Sequence, residues 1–216
     1  MSLVYHYHPL SSFCWKALIA LYENDTPFEP TIVDFGDPNS RAALAALWPV
    51  AKIPVLEDRT HWRAIAETSI IIDYLDRHHR GPVRFVPEDP DLAREVRLLD
   101  RIYDLYVQGP MQKIVGDRLR PEGQKDRFGV EEARRLLAVA LGMIDAQVAE
   151  RRWAAGETFT LADCAAAPAL FYADKVMPLA GVYPNALALL ERLKARPSFA
   201  RVLDEAEPYF QYFPAA

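Results

Sequence analysis

The chain has 216 residues, of which 51% are hydrophobic, so it is long and apolar enough for one large domain or two small ones. Its formal net charge is -5 with acidic and basic residues interspersed, which excludes the basic stripe of a nucleic-acid-binding surface. No apolar run reaches membrane-spanning length, and the N-terminus lacks the basic and apolar regions of a signal peptide. We therefore expect a cytoplasmic protein that binds neither nucleic acid nor membranes.

The first element is a strand over residues 3–7, a run of β-branched and aromatic residues that ends before Pro9. A helix follows, because apolar residues recur at helical spacing in Trp15, Leu18, Ile19 and Tyr22. We expect this single stripe to pack the helix against the sheet. Ser11 and Ser12 lie at the open end of the helix, which favours an anion such as a thiolate. Their hydroxyls either donate a hydrogen bond to that anion or only cap the helix.

The chain has only two cysteines, Cys14 and Cys164. The segment from Ser11 to Cys14 has the spacing of a Cys-x-x-Cys redox motif, but a serine replaces the attacking cysteine. We therefore interpret Cys14 as a small buried hydrophobe rather than a nucleophile, and Cys164 as a core residue. No cluster of cysteine and histidine has metal-ligand spacing, so we expect no metal site.

The next segments predict a second strand over residues 28–33 and a short helix from the turn at residues 37–40 to Leu47. A third strand over residues 53–58 and its hairpin partner over residues 61–65 follow. Pro54 opens the third strand, and its bond to Ile53 is a candidate cis peptide. A cis bond would leave the N–H and C=O of Ile53 free for an extended peptide ligand, whereas an ordinary trans proline is the alternative.

Another helix begins near Ala66 to Thr68, because Ile71, Tyr74 and Leu75 share one face. Glu67 and Thr68 therefore lie at a second helix N-terminus. A carboxylate at this place ordinarily interacts with the helix dipole. Alternatively, Glu67 binds a ligand ammonium group while the hydroxyl and amide of Thr68 bind a ligand carboxylate.

The Ser11 turn, Ile53-Pro54 and Glu67-Thr68, in this order within a βαβαββα pattern, resemble the thioredoxin-like domain of the glutathione S-transferases. The segment from Ser11 to Lys16 is similar to the Ser-Ser-x-x-Trp-(Arg/Lys) pattern of the serine-type theta, delta and zeta classes. The resemblance implies a thioredoxin-like domain over residues 1–80 and an all-helical domain over residues 91–216. Proline-rich turns bracket a linker over residues 81–90.

Within the second domain the apolar pattern predicts long helices over residues 91–109 and 131–153, then shorter ones over residues 185–195 and 198–206. Thr160 and Asp163 have the spacing of a capping box, which also resembles the one in the helical domain of the transferases. The aromatic segment from Glu207 to Pro214 either folds over a substrate cleft or pads the helical bundle. We favour padding.

The resemblance implies a homodimeric enzyme that activates the thiolate of glutathione for attack on an apolar electrophilic small molecule. Ser11 and Ser12 would be the catalytic residues, with Ser11 as the donor to the sulfur. The residues implied for glutathione are Lys52, Ile53, Pro54, Glu67 and Thr68. Those implied for the electrophile are Phe13, Tyr103, Tyr106 and Met111; core packing is the alternative for the last three.

Several positions depart from the family pattern. Phe13 and Cys14 stand where the zeta isomerases read Cys-Ser, and Trp48 and Ala51 stand where many members have asparagine and glycine. Two other functions therefore stay open. One is glutathione-dependent isomerisation, or reduction of a disulfide or peroxide, on the same scaffold. The other is a non-catalytic glutathione-binding or scaffold protein.

Overall fold

The computed structural model describes residues 2–214. Its sheet has four strands in the order β2-β1-β3-β4. The strands are β1 (Leu3–Tyr7), β2 (Glu29–Ile32), β3 (Val55–Asp58) and β4 (Arg63–Ala66). Strand β1 pairs with β2 in parallel and with β3 in antiparallel orientation, and β3 and β4 form a hairpin. Helices α1 (Ser12–Glu23), α2 (Pro38–Leu47) and α3 (Thr68–His78) complete the predicted βαβαββα order.

Helix α1 lies in the interior, with nine of its twelve residues buried. It packs on α3 in its own domain and on α7 (Leu161–Val176) and α9 (Pro197–Ala206) in the helical domain. The expectation of one apolar stripe against the sheet is therefore wrong, because a helix covered on several sides buries more than one face. Even Lys16 is buried in this position.

The remaining helices are α4 (Pro90–Ile102), α5 (Gly109–Arg118), α6 (Arg127–Gln147) and α8 (Pro184–Lys194). A π-helix over Tyr103–Gln108 joins α4 to α5 without a break. The helix predicted to end at Gly109 therefore continues to Arg118, because the wider π-helical turn before Pro110 accommodates its ring and its missing N–H. Helix α6 ends at Gln147 rather than at the predicted Trp153.

Residues 79–89 form no helix or strand and connect α3 to α4. This connection is anchored by Phe85, which is fully buried. The Phe85 N–H donates to the carboxylate of Asp76, and the Phe85 carbonyl accepts from the N–H of Leu161. The two domains share one continuous cluster of buried apolar side chains. None of the helices between residues 2 and 214 is long and apolar enough to span a membrane.

Helix α7 crosses the centre of this core, with thirteen of its sixteen residues buried. The predicted capping box is present at its start: Thr160 caps the helix, and the Asp163 carboxylate accepts from the Thr160 N–H at 2.9 Å. A second oxygen of Asp163 accepts from the Ala154 N–H at 2.8 Å. Burial raises the pKa of Asp163 to about 6, although these hydrogen bonds act in the opposite direction.

Candidate functional site

The turn between β1 and α1 is held by hydrogen bonds to its backbone carbonyls. The indole Nε1 of Trp15 donates to the carbonyl of Pro9 at 2.5 Å, and the Tyr172 hydroxyl of α7 donates to the carbonyl of Leu10 at 2.8 Å. The Ser11 N–H donates to the carbonyl of His8 at 2.9 Å. Bonds from both domains therefore fix the place at which α1 begins.

Ser11 is the N-cap residue of α1, and its Oγ accepts from the N–H of Cys14 at 3.3 Å. A hydroxyl that accepts one hydrogen bond still has its own proton to donate. Ser11 is partly exposed, whereas Ser12, the first residue of the helix, is buried. Capping and donation to a ligand anion are thus compatible roles for Ser11.

Cys14 is fully buried one turn inside α1. Burial raises the pKa of its thiol to about 12, although the nearby polar groups of Ser11, His8 and Tyr5 act in the opposite direction. A thiol with this pKa is neutral at physiological pH, so it is not a nucleophile. The interpretation of Cys14 as a buried hydrophobe agrees with this environment.

A cavity of about 170 Å³, which we call the Pro54 cavity, lies beside the start of α1. It brings together six of the residues singled out in the sequence, namely Phe13, Lys52, Ile53, Pro54, Glu67 and Thr68. Trp48 completes the wall. Phe13, which was expected beside the electrophile, lies in this cavity beside the residues predicted for glutathione.

The wall of the Pro54 cavity presents backbone groups. The Ile53–Pro54 bond is cis, as predicted. Among the hydrogen bonds between residues 2 and 214, neither the N–H nor the C=O of Ile53 has a partner. Glu67 has a φ angle of +67° at the N-cap position of α3, and its side chain makes no capping bond. A non-glycine residue in this region is uncommon and occurs preferentially at ligand sites.

A second cavity of about 340 Å³, the Met111 cavity, lies on the other side of the same turn. Its wall contains Ser11 and Ser12 together with Met111, Val115 and Leu119 of the α5 region. Tyr172 of α7 and the segment from Tyr212 to Pro214 close it. Sequence reasoning missed Tyr172, because nothing local to that residue relates it to the β1–α1 turn.

Two tyrosines that were predicted for the electrophile site lie away from the Met111 cavity. Tyr103 is 1% exposed in the hydrophobic core, and Tyr106 is 46% exposed on the surface. Neither contributes to the wall of the Met111 cavity. Both lie in the π-helix, whose wider turns change the direction of each side chain, so the α-helical spacing that linked them to Met111 does not hold.

The aromatic C-terminal segment packs on the helical core and also forms part of the wall of the Met111 cavity. Phe210 packs against Trp15 and Phe171, with ring centroids 6.0 and 5.7 Å away. Phe213 packs on Tyr172 with its ring tilted, at a centroid distance of 5.6 Å, and lines the Met111 cavity. Arg118 holds the end of the segment by donating to the carbonyl of Pro214 at 3.2 Å. Padding alone was therefore an incomplete prediction.

A group of ionic and polar side chains, the Lys16 cluster, connects α1, α3 and α4 and consists of Lys16, Ser69, Asp100, Arg101 and Asp104, of which Lys16 and the two aspartates are buried. The ammonium of Lys16 contacts the carboxylate of Asp100, lies 2.7 Å from Asp104 Oδ2 and donates to Ser69 Oγ at 3.0 Å. Arg101 donates to both carboxylates and to Ser69. Burial raises the pKa of Asp104, although Lys16 acts in the opposite direction.

The Lys16 cluster connects three elements of the site. Lys16 follows Ser12 by one turn of α1, Ser69 follows Thr68 in α3, and Asp104 lies in the π-helix that leads to α5. Carboxylates this deeply buried need cationic partners. The cluster therefore fixes the starts of α1 and α3 relative to the helix that lines the Met111 cavity.

Comparison with known families agrees with this arrangement. The model of the glutathione S-transferase N-terminal domain matches residues 5–83, and the model of the C-terminal domain matches residues 102–197. Together they cover most of the chain. The chain belongs to the glutathione S-transferase family.

Individual relatives carry different names. A glutathione S-transferase of Pseudomonas putida is 28% identical over 215 residues, covering 94% of this chain and 91% of the relative. FtsZ-localized protein A of Caulobacter vibrioides is 28% identical over 210 residues with the same coverage. The solved structure of a glutathione S-transferase from Methylobacillus flagellatus with glutathione bound has a TM-score of 0.86 at 26% identity, covering 93% of this chain and 98% of that one.

Proposed function

We propose that the protein is a glutathione transferase that activates the thiolate of glutathione for attack on an uncharged, apolar electrophile. The observation that carries the proposal is the start of α1, where consecutive residues line two cavities of different chemistry. Glutathione in the Pro54 cavity would direct its sulfur towards Ser11. The helix N-terminus and the Ser11 hydroxyl would then stabilise the thiolate over the thiol.

Each part of glutathione has a complementary group in the Pro54 cavity. The unpaired backbone N–H and C=O of Ile53 can pair with the cysteinyl unit of the tripeptide as an added strand. Glu67 can accept from the γ-glutamyl ammonium group, while the N-terminus of α3 at Thr68 takes the γ-glutamyl carboxylate. Lys52, which is exposed, can pair with the glycyl carboxylate.

The Met111 cavity supports conjugation of a neutral molecule. Its wall contains apolar and aromatic side chains, two serines and Gln112, and none of the charged side chains between residues 2 and 214 contributes to it. An anionic electrophile would have to lose water there without gaining a cationic partner, which is costly. An uncharged aromatic or alkyl electrophile fits this wall.

We also propose a cytoplasmic homodimer. Ile70 of α3 and Leu98 of α4 are 57% and 56% exposed, and Ile70 lines a cavity of about 560 Å³ between α3 and α4. Apolar side chains of this size on neighbouring helices favour burial against a second copy. Light scattering should give twice the 24.5 kDa mass of the chain. A mass of one chain at micromolar concentration would contradict the proposal.

Two assays on the purified chain test the proposed activity. We expect retention on immobilised glutathione, elution by free glutathione, and formation of a thioether with a generic aromatic electrophile. Retention without turnover would instead support a second candidate, a binding protein, which the relative named FtsZ-localized protein A makes a specific alternative. Absence of both retention and turnover would reject the glutathione site.

A further inference from the structure

Another cavity lies away from the proposed site, between the connection to α4 and the loop that precedes α7. We call it the arginine cavity; its volume is about 480 Å³. All three charged residues in its wall are arginines, namely Arg84, Arg152 and Arg196. The two acidic residues of the adjoining loop, Glu150 and Glu157, do not contribute to the wall. This composition is unusual in a chain whose net charge is -5.

Arg84 has unused hydrogen-bonding capacity. Its Nε is buried and has no partner between residues 2 and 214. Its nearest carboxylate oxygen, on Asp76, lies 3.7 Å from Nη2, beyond normal hydrogen-bond length. The Arg84 side chain as a whole is 38% exposed and lines the cavity, so the guanidinium group can donate to an anion bound there.

Two further guanidinium groups add positive charge that no carboxylate neutralises. Within the described chain, no acidic oxygen lies within 4.0 Å of Arg152 or Arg192. Arg192 instead donates to the backbone carbonyls of Arg152 and Arg151, at 3.0 and 3.3 Å. Arg192 therefore holds the loop that carries Arg152. Its positive charge lies next to the backbone of Arg152 and adds to the positive potential there.

Arg196 forms a fixed wall of the cavity rather than a free charge. Its Nε and Nη2 donate to the carboxylate of Glu23 at 2.6 and 2.5 Å. Its guanidinium carbon lies 4.1 Å from the ring centroid of Phe159 and 5.1 Å from that of Trp153. These contacts give the cavity a rigid apolar and aromatic side next to its positive side.

We propose that the arginine cavity binds a phosphate ester with an apolar or aromatic group, the chemistry of a nucleotide. The planar guanidinium group pairs with phosphate through two parallel hydrogen bonds, and a phosphate offers more acceptor oxygens than a carboxylate to donors on several sides. Pro82 and Pro87 extend the wall with apolar surface for the rest of the ligand. The volume lies within the range of small-molecule sites.

Calorimetric titration of the full chain with ADP tests this proposal, with pyrophosphate, adenosine and citrate as comparison ligands. We expect saturable binding of one ADP per chain, weaker binding of pyrophosphate, and at least about tenfold weaker binding of adenosine and citrate. Binding should weaken with added salt. No saturable ADP binding at millimolar concentration, or equal binding of adenosine or citrate, would overturn the proposal.

Matched variants locate the binding. Arg152→Gln, at an exposed position, and Arg84→Gln should each weaken ADP binding about tenfold or more. Arg135→Gln, an exposed arginine on α6, should leave it unchanged. Retention on glutathione should be the same in all three variants. Equal ADP affinity in Arg152→Gln and Arg135→Gln would overturn the proposal even if Arg84→Gln failed to fold.

Discussion

The two cavities at the start of α1 are built from different parts of the polypeptide. The Pro54 cavity is formed by turns and helix ends that present backbone groups, and its polar character depends on where the chain runs. The Met111 cavity is formed by side chains from α5, α7 and the C-terminal segment. A cavity wall made of backbone groups keeps its hydrogen-bonding groups when most of its residues are substituted. A wall made of side chains changes its chemistry with each substitution. Under the proposed function, substitutions in the Met111 cavity would change the preferred electrophile without changing the binding of glutathione.

The largest expected effect comes from removing the charge that fixes these cavities to each other. Lys16→Met would leave the buried carboxylates of Asp100 and Asp104 with one cationic partner fewer. We expect the free energy of unfolding to fall by about 3 to 5 kcal/mol, as measured by urea denaturation. Lys52→Met, at an exposed lysine, should change it by less than about 0.5 kcal/mol. A loss below about 1 kcal/mol in Lys16→Met would contradict the role of the cluster.

A second effect concerns α7, which carries Tyr172 to the Met111 cavity. The pKa of Asp163 is about 6 in the folded chain, against 3.8 for an ordinary aspartate. The folded state therefore binds this proton more tightly, so its contribution to stability is complete below about pH 4 and is lost as the pH rises through about 6. The loss amounts to about 3 kcal/mol at most.

Urea denaturation of the wild-type chain and of Asp163→Asn between about pH 4 and pH 7 measures this contribution. The wild type should lose stability relative to the variant by about 2 to 3 kcal/mol across that range. A difference between the two proteins that stays constant with pH would contradict the raised pKa.

A smaller pair of effects separates the cavities kinetically. Glu67→Gln removes the negative charge proposed to face the γ-glutamyl ammonium group, and should raise the KM for glutathione about tenfold without changing the KM for the electrophile. Val115→Phe fills part of the Met111 cavity. It should raise the KM for the electrophile without changing the KM for glutathione. Steady-state kinetics with each substrate varied in turn makes the comparison. Equal changes in both KM values for either variant would show that the cavities are not separate sites.

The sequence was sufficient where a feature is encoded by neighbouring residues. Capping by Ser11 and the Thr160–Asp163 box follow from side chains that bond to amides two or three positions away. The cis Ile53–Pro54 bond and the start of α3 at Thr68 lie beside residues that restrict the backbone locally. The wall of the Pro54 cavity contains the Ile53–Pro54 bond and the start of α3, both of which are encoded locally. The residues predicted for this cavity therefore lie together in the structure.

The rest depends on contacts between distant parts of the chain. Tyr172 reaches the carbonyl of Leu10 across 162 positions, and Lys16 reaches Asp104 across 88. The residues that neighbour these four positions in the sequence give no indication of which partner each one contacts. In addition, lysine is ordinarily a surface residue, so its burial is not expected. The π-helix is a further case, because Gly109 and Pro110 indicate a helix end unless the preceding turn is widened.

The central claim is that Ser11 stabilises the thiolate of bound glutathione, and the pKa of that thiol tests it most directly. Ultraviolet absorbance of the bound thiolate, followed against pH, gives this pKa for the wild-type chain and its variants. Because a hydrogen bond to a charged group contributes about 1.5 to 3 kcal/mol, Ser11→Ala should raise the pKa by about 1 to 2. Ser12→Ala should leave it nearly unchanged. An unchanged pKa in Ser11→Ala, or a larger rise in Ser12→Ala, would contradict the assignment.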